Sequence, residues 1–519
     1  MSETRTWLAE LDYTRPSGAA ETTRWSHGPI GRFPASCADR PNAKSAARMV
    51  EVPSYQTRVL GDASRLGSSI AVGTLVASNA DGALSHLRGC ALKELRLWWG
   101  VPGTPLASWE RVATAKPAAP RFDLTGSQPG RLSIPFYDLR SDLEDPIQAN
   151  TYPGTSNGAG EGYHGDVSMR DQPIPLALGD LTTAHVPAVW ANGPDKVAQL
   201  HDGAMSAVTG IFDRGGASGL TLLGDYTGTA FDGAAPSNVQ HATDLARGLD
   251  KLGGTLGGQV TFGLRGAAGA GETAPDLMRW LLTRRGHAAR IGTALAGLSA
   301  PAKAGLWIRG GAYRQAWELL AASGMFWALP DSMGIWDAGT LGLPVGAPVM
   351  SLSAFRIKEI GLWDASLAVP CARVEVKWGR RYQTFSRSDM AEELWNTPAE
   401  TDLGQEWRTA SHPPPATSDA VRGKWPGART ITIETALREE APAQQLAQDL
   451  YELLGPRADG TPPLPVRVVT ELTPETLALR HGQEVHLSWP LEGIDTDCVV
   501  WGKRPAAGGG HLIELELFA

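Results

Sequence analysis

The chain is predicted to be a β-dominated α+β protein of several domains, built from β-sandwiches or barrels with a small helix-containing domain in the middle. Three observations lead there. Apolar and polar residues alternate through Trp7-Leu-Ala-Glu-Leu-Asp-Tyr13 and Leu92-Lys-Glu-Leu-Arg-Leu-Trp98, and Ser69 to Val76 is rich in small and β-branched residues. The 60 Gly and 37 Pro in 519 residues exceed ordinary usage and suit many strands joined by many turns. Helix-like spacing occurs at only a few places.

At this length a single hydrophobic core is insufficient, so three or four domains are expected. Residues 1–140 read as an N-terminal β domain. Within it, 26–53 is Gly-, Pro- and Ala-rich with weak periodicity, and is expected to be an extended arm that reaches over a neighbouring subunit. A polar, Gly-rich connection over 141–165 opens a second β domain, 141–270, with short strands from about 171 to 265. Residues 271–345 form the helix-containing α+β domain. There Thr273 is the N-cap and Pro275 follows in the first turn, while Leu277, Met278, Leu281 and Leu282 recur at three-to-four spacing. A second helix is predicted from Tyr313 to Ala322, stopping at Gly324. Residues 346–519 form a C-terminal β domain with one helix near 442–454, whose Leu446, Leu450, Leu453 and Leu454 share a face.

The net charge of −8 and the scattered basic residues argue against an outer surface that holds DNA. No apolar run is long enough to span a bilayer, and Met1-Ser-Glu-Thr-Arg-Thr-Trp7 lacks the core of a signal peptide, so synthesis in a cytoplasm without export is expected. Tryptophan, at 18, outnumbers Phe at 10 and Tyr at 9. Core and interface packing is the favoured reading, because most of these tryptophans lie inside apolar strands or helices; a sugar-stacking platform is the alternative.

Several features resemble catalytic or ligand motifs and are better read as structure. Gln259 to Arg265, then Gly266-Ala-Ala-Gly269-Ala-Gly271, then a helix, has the order of a phosphate-binding turn. It lacks the Gly-Lys-Ser/Thr of a P-loop and the spacing of a dinucleotide fingerprint, so a flexible connection between domains is expected. His201-Asp202-Gly203 reads as a β-turn between strands Lys196–Leu200 and Ala204–Val208. The pairs Glu392-Glu393 and Glu439-Glu440 read as solvated charges. No zinc-peptidase helix and no Cys–His arrangement of a cell-wall peptidase is recognised in the sequence. No catalytic, cofactor-binding or metal-binding residue is therefore assigned, and the chain is expected not to be an enzyme.

One block carries more information than the rest. From Asp138 to Gly216 short phrases follow in order: Asp138-Leu-Arg140, Tyr152-Pro-Gly154-Thr155, Glu161-Gly162, Pro173-Ile-Pro-Leu-Ala-Leu-Gly179, Gln199-Leu-His-Asp202-Gly203 and Phe212-Asp213-Arg214-Gly215. Each reads as a turn, with Gly and Asp supplying positive φ and side-chain-to-backbone hydrogen bonds. The series resembles the tail-tip and baseplate hub proteins of tailed bacteriophages. Gly73 to Leu84, His241 to Leu249, Gly258 to Phe262, Gly305 to Ile308, Val374 to Tyr382 and Leu479 to Val485 extend it over most of the chain. The segment Asp166-Val-Ser-Met-Arg-Asp171 departs from the polar, basic stretch usual at that place.

The resemblance implies a structural subunit of the virion tail tip, carrying two tube-like β-barrel domains so that three copies match a sixfold tail tube. It implies contacts with distal tail or tail-tube proteins, with a central spike or fibre and with the tape measure protein, around a passage for phage DNA. A hexameric distal tail ring protein and a carbohydrate-binding or depolymerising tailspike are the alternatives. Some tail-tip proteins hold an iron–sulfur cluster through closely spaced cysteines. Here Cys37, Cys90, Cys371 and Cys498 stand more than fifty residues apart, and free thiols are expected ahead of a metal site or disulfides.

Overall fold

The computed structural model describes residues 4–37, 41–61, 66–67, 69–123, 130–156, 158–506 and 510–519. Strands dominate, as the alternating patterns predict. The N-terminal sheet runs in the order Ala20–Ser26, Thr6–Thr14, Ala91–Gly100, Glu110–Pro117, Arg131–Tyr137, Val72–Ser78, Met49–Glu51, with Arg121–Asp123 beside Arg131–Tyr137. The two-residue period is visible in the packing: Leu132, Ile134 and Phe136 point into the core from one strand, and Leu95 and Leu97 from another. The two margins of this sheet approach one another through Ala46. Its N–H bonds Arg24 O (3.1 Å) and its carbonyl accepts Ser26 N–H (2.9 Å), and the chain then enters Met49–Glu51. The sheet thus curls into a barrel-like form.

The segment 26–53 does not extend away from this sheet as the arm reading predicts. Ile30, Phe33 and Cys37 are buried against Leu8, Leu106 and Trp109 of the same domain, and Phe33 N–H bonds Ala43 O (3.0 Å). Apolar residues spaced too irregularly for a strand or helix pattern still cover one patch. Residues 38–40 of this segment lie outside the described residues.

Two five-stranded sheets follow. One has the order Gly216–Ala217, Met205–Asp213, Val260–Ala267, Leu176–Pro187, Gly305–Ile308; the other, Trp190–Asn192, Val197–Gln199, Leu249–Leu252, Gln240–Asp244, Thr221–Asp225. They share a core in which Leu181, Val186, Phe262 and Leu264 of the first meet Ala198, Leu200 and Leu252 of the second. The turn expected at His201-Asp202-Gly203 does lie between two strands, but these are not neighbours. Val197–Gln199 and Met205–Asp213 belong to separate sheets, and the three residues turn the chain from one to the other.

The core beside Leu176 and Leu178 continues without interruption through Ala267, Ala270 and Ala274 into the helix Ala274–Arg284. The Gly-rich stretch 266–271 is thus a packed connection and not a loose one, because Ala267 and Ala270 are buried in this core. Thr273 caps this helix through a hydrogen bond from Asp276 N–H (3.4 Å). The helix Tyr313–Ala322 and the hairpin Phe326–Pro330 with Trp336–Thr340 complete the unit.

The C-terminal sheet has the order Met350–Ser353, Glu484–Trp489, Ile494–Ala506, Leu512–Phe518, Pro465–Glu471, Ile357–Leu362. Its first and last strands are joined by residues 354–356 alone, a chain reach of roughly 14 Å at most. Strands at opposite ends of the order are therefore close in space, and this sheet curls too. Thr57–Arg58 from the N-terminal region pairs with Gly502–Lys503. One cluster of buried apolar side chains runs from Trp7, Leu97 and Phe136 to Leu352, Val485 and Leu515, so the two ends of the chain share a core. Between them in sequence lies a three-stranded sheet, Arg408–His412, Arg373–Trp378, Thr430–Glu434, covered by the helix Glu440–Leu454. Helices Pro398–Leu403, Pro415–Lys424 and Pro474–Ala478 add to the single one expected here.

Candidate functional site

The phrases of the block 138–216 are corners of the fold. Asp138 caps the short 3-10 turn Leu139–Glu144. It accepts Arg140 N–H and Ala71 N–H, each at 2.9 Å, and the Arg140 Nε at 2.8 Å, with both side chains buried. Beyond it, Asp142 pairs with Lys116 and with His287 (3.3 Å), tying the N-terminal sheet to the end of the helix Ala274–Arg284. Burial works against the Asp142 charge, but the hydrogen bonds from His287 and Lys116 prevail and hold its carboxyl down at about 2.

Tyr152 is buried and its N–H bonds Gln172 O (2.9 Å). Gly154, at φ +71°, lies where a β-carbon would come within 2.7 Å of Arg170 Cβ, so the chain can cross there only as glycine. Ser156 Oγ accepts His164 N–H (2.8 Å), and Asn192 Nδ2 donates to Gly162 O (2.9 Å), closing the loop that contains Glu161-Gly162. In Pro173–Gly179, Gly179 at φ +67° abuts Ala304, whose carbonyl oxygen would lie 2.1 Å from an added β-carbon. Gln199 Nε2 donates to His201 O (2.5 Å) and Arg247 O (2.7 Å), fixing the corner between the two sheets. His201 Nδ1 accepts Ala177 N–H (3.0 Å), and burial pulls its pKa down to about 4, so the ring is a neutral acceptor. Asp202 receives Asn150 Nδ2 (2.9 Å) and Arg284 (3.3 Å). Phe212-Asp213-Arg214-Gly215 turns Met205–Asp213 into Gly216–Ala217, and Asp213 accepts Gly257 N–H (2.9 Å). These polar atoms hold backbone, and Gly162 and Gln199 also border a cleft of about 480 Å³ lined by Tyr163, His164, Asp195, Asp232, Arg247 and Lys251.

The other features singled out by the sequence are dispersed. Glu392, Glu393, Glu439 and Glu440 are exposed. The cysteines are unpaired and packed in different places: Cys37 beside Trp109, Cys371 in the core under the helix Glu440–Leu454, Cys498 in the core shared by the chain ends and Cys90 half-buried at its margin. Among the described residues no cluster of three or more His, Cys, Asp or Glu side chains is placed to hold a metal ion. Tryptophans 7, 25, 99, 109, 317, 327, 336, 378 and 501 are buried, and Trp395 alone is exposed, which agrees with a packing role for most.

A cleft of about 830 Å³ lies between the strand Gly305–Ile308, the helix Tyr313–Ala322 and the edge of the three-stranded sheet. Of the charges that line it, Lys377 pairs with Glu434 (3.3 Å), while Arg380 pairs with Glu406 (2.8 Å) and Glu318 with Arg314 (3.2 Å), both partners outside the lining, and Arg309 donates to Gln172. The strand edge that faces it is occupied as well, since Gly305 N–H bonds Ala436 O (2.9 Å) and Trp307 N–H bonds the Tyr382 hydroxyl (2.9 Å).

What the sequence reading did not single out is the strand Thr221–Asp225. It forms one edge of its sheet, is irregular at Leu223, and exposes Leu222 and Leu223. Two adjacent leucines in a short strand without a basic residue are the signal that could have marked it.

No protein-family model matches this chain, and no curated protein matches it either. Solved structures to which it is similar include several tail proteins. They include a tail protein from Neisseria meningitidis MC58, at 12% identity and a TM-score of 0.42, covering 99% of this chain and 96% of that one. The tail protein of prophage MuSo2 from Shewanella oneidensis is similar at 9% identity and a TM-score of 0.40, covering 99% and 96%. A prophage tail protein from Listeria monocytogenes EGD-e is similar at 9% identity and a TM-score of 0.36, covering 98% and 94%.

Proposed function

We propose that this protein is a structural, non-catalytic component of a phage tail tip: a hub, working as a homotrimer, that closes the distal end of the tail tube, seats a central spike or fibre and forms part of the DNA exit channel. The observation that carries this reading is the pair of curled sheets, Thr6–Tyr137 and Met350–Phe518, held in one subunit by a shared core. Two such units per chain are what three copies need to continue a sixfold tube. The ordered turn phrases between Asp138 and Gly216 support the same reading, because each is used here to set a corner of the scaffold.

A passage for DNA must avoid tight phosphate contacts, since each neutralised phosphate adds affinity through counterion release. An overall charge of −8 suits a lumen that is neutral or acidic. The distinguishing experiment is imaging of assembled particles with this protein labelled. Label at the tail tip, three copies per particle, is the expected result; label along the tube or in a ring of six overturns the hub assignment. Submicromolar binding of duplex DNA by the purified protein at physiological salt would remove the channel component alone.

A further inference from the structure

The cleft of about 830 Å³ between Gly305–Ile308, the helix Tyr313–Ala322 and the three-stranded sheet borders two strand edges. That of Gly305–Ile308 is used, since Gly305 N–H reaches Ala436 O and Trp307 N–H the Tyr382 hydroxyl. That of Thr430–Glu434 is not. This strand ends its sheet and pairs, in parallel, with Arg373–Trp378 on one side only. The bonds at its two ends, Ala372 N–H to Arg429 O (2.9 Å) and Thr435 N–H to Lys377 O (3.1 Å), give its odd-numbered residues to that partner. The N–H and C=O of one strand residue point the same way, and successive residues alternate. Thr430, Thr432 and Glu434 therefore turn their backbone groups outward, and the last two line the cleft.

Size and chemistry define what fits there. A five-residue strand is about 17 Å long, about 4.8 Å wide and about 10 Å deep, or about 800 Å³, close to the volume of the cleft. Across from the free edge, Ile308, Ala312 and Leu319 are half-buried and apolar. Of the charged residues that line the cleft, Lys377 and Glu434 pair with each other, Arg380 with Glu406 and Glu318 with Arg314. Arg309 alone pairs with no carboxylate among the described residues; its guanidinium donates to the Gln172 side-chain oxygen. A saccharide or small organic acid would answer Arg309 but would not match the regular spacing of amides and carbonyls along the strand. An extended peptide answers both.

We propose that this cleft binds an extended peptide of a partner protein, which adds a strand beside Thr430–Glu434, between it and the helix Tyr313–Ala322. The peptide backbone pairs with Thr430, Thr432 and Glu434, apolar side chains on one of its faces meet Ile308 and Leu319, and an Asp or Glu pairs with Arg309. Main-chain bonds supply affinity and the side-chain pattern supplies choice, so the recognised sequence alternates apolar and polar residues and carries a carboxylate. Every residue of this site belongs to one subunit, so binding does not depend on the number of copies in the particle.

The test is a selection of random, mRNA-displayed dodecapeptides on the full chain, followed by fluorescence anisotropy with a labelled synthetic peptide from the enriched set. Enriched sequences should alternate apolar and polar residues and include Asp or Glu. Arg309→Glu should weaken binding by about tenfold or more, as loss of one charge-assisted contact would. Exchanging the acidic residue of the peptide for Lys should restore binding to that variant. Methylating one alternate set of the peptide's amide nitrogens, and not the other, should abolish binding, which tests strand pairing with the protein unaltered. No enrichment, enriched peptides without an acidic residue, indifference to Arg309→Glu, or methylated sets that behave alike would each overturn the proposal. Self-association of the chain that Arg309→Glu abolishes would overturn it too, by seating a second copy in the cleft.

Discussion

The Asp138 carboxylate receives the Arg140 guanidinium and the Arg140 backbone N–H at the same time, in a pair buried between the N-terminal sheet and the next domain. Its Oδ2 also takes Ala71 N–H at 2.9 Å, so two strands' ends and a turn depend on one side chain. Asp138→Ala should therefore cost about 3–5 kcal/mol, because it strands a buried cation. Asp138→Ala combined with Arg140→Met should recover part of that loss. Urea unfolding of both variants checks this, and equal destabilisation by the single and double changes would contradict it.

Gly179 stands at φ +67° with Ala304 O only 2.1 Å from where a β-carbon would be. Both elements belong to paired strands, Leu176–Pro187 and Gly305–Ile308, so neither can yield freely. Gly179→Ala is expected to destabilise by about 2 kcal/mol or more, through left-handed strain and backbone overlap together. Thermal unfolding measures it, and a melting temperature unchanged within error would refute it.

Phe33 separates two ideas about the segment 26–53. Its ring lies 6.0 Å from that of Trp109 in the same subunit, edge-on, and it is buried. Phe33→Ala should lower stability by about 3 kcal/mol, in the range for a buried aromatic truncated to alanine, while leaving the oligomer intact. Loss of assembly at unchanged stability would restore the role of an arm over a neighbour.

Buried imidazoles give the protein a directed pH response. Burial pulls His185 and His201 down to about 4 and His481 to about 3, against an ordinary value of 6.5. The unfolded chain therefore takes up protons first as pH falls, and these residues contribute full stability above about pH 6.5 and lose it progressively toward about pH 4. Asp142, held near 2, acts lower: its contribution is present above its ordinary value of 3.8 and disappears as pH falls toward 2. Urea midpoints should drop between about pH 6.5 and 4, and His201→Gln should flatten that slope. A midpoint independent of pH over that window would be inconsistent.

Thiol chemistry gives a further check. Burial pushes Cys371 and Cys498 up to about 12, and Cys37 is buried too, whereas Cys90 is half-exposed. A maleimide should label Cys90 in the native protein and all four cysteines in denaturant, and elemental analysis should find no stoichiometric iron or zinc. Rapid native labelling of more than one thiol, or one metal per chain, would contradict the packing described.

The local features were readable because their causes are local. Thr273 with Pro275 starts a helix by capping chemistry, Tyr313–Ala322 follows from its apolar spacing, and the alternation in Leu92 to Trp98 reports a half-buried strand whatever it packs against. Glycines in the turn phrases announce positive φ, and Gly154 and Gly179 have it.

Taken alone, the sequence determined the β-dominated class, the places of the principal helices and the order of the corners. It could not determine pairing partners. His201-Asp202-Gly203 reads the same whether it joins neighbouring strands or two sheets, since a turn's chemistry does not record what lies beyond it. The fate of residues 26–53 depended on a patch formed by Leu8, Leu106 and Trp109, and the shared core of the chain ends depended on contacts separated by hundreds of residues. Tertiary structure alone left Thr221–Asp225 and Thr430–Glu434 at edges, because an edge exists only once every other strand has found its neighbour.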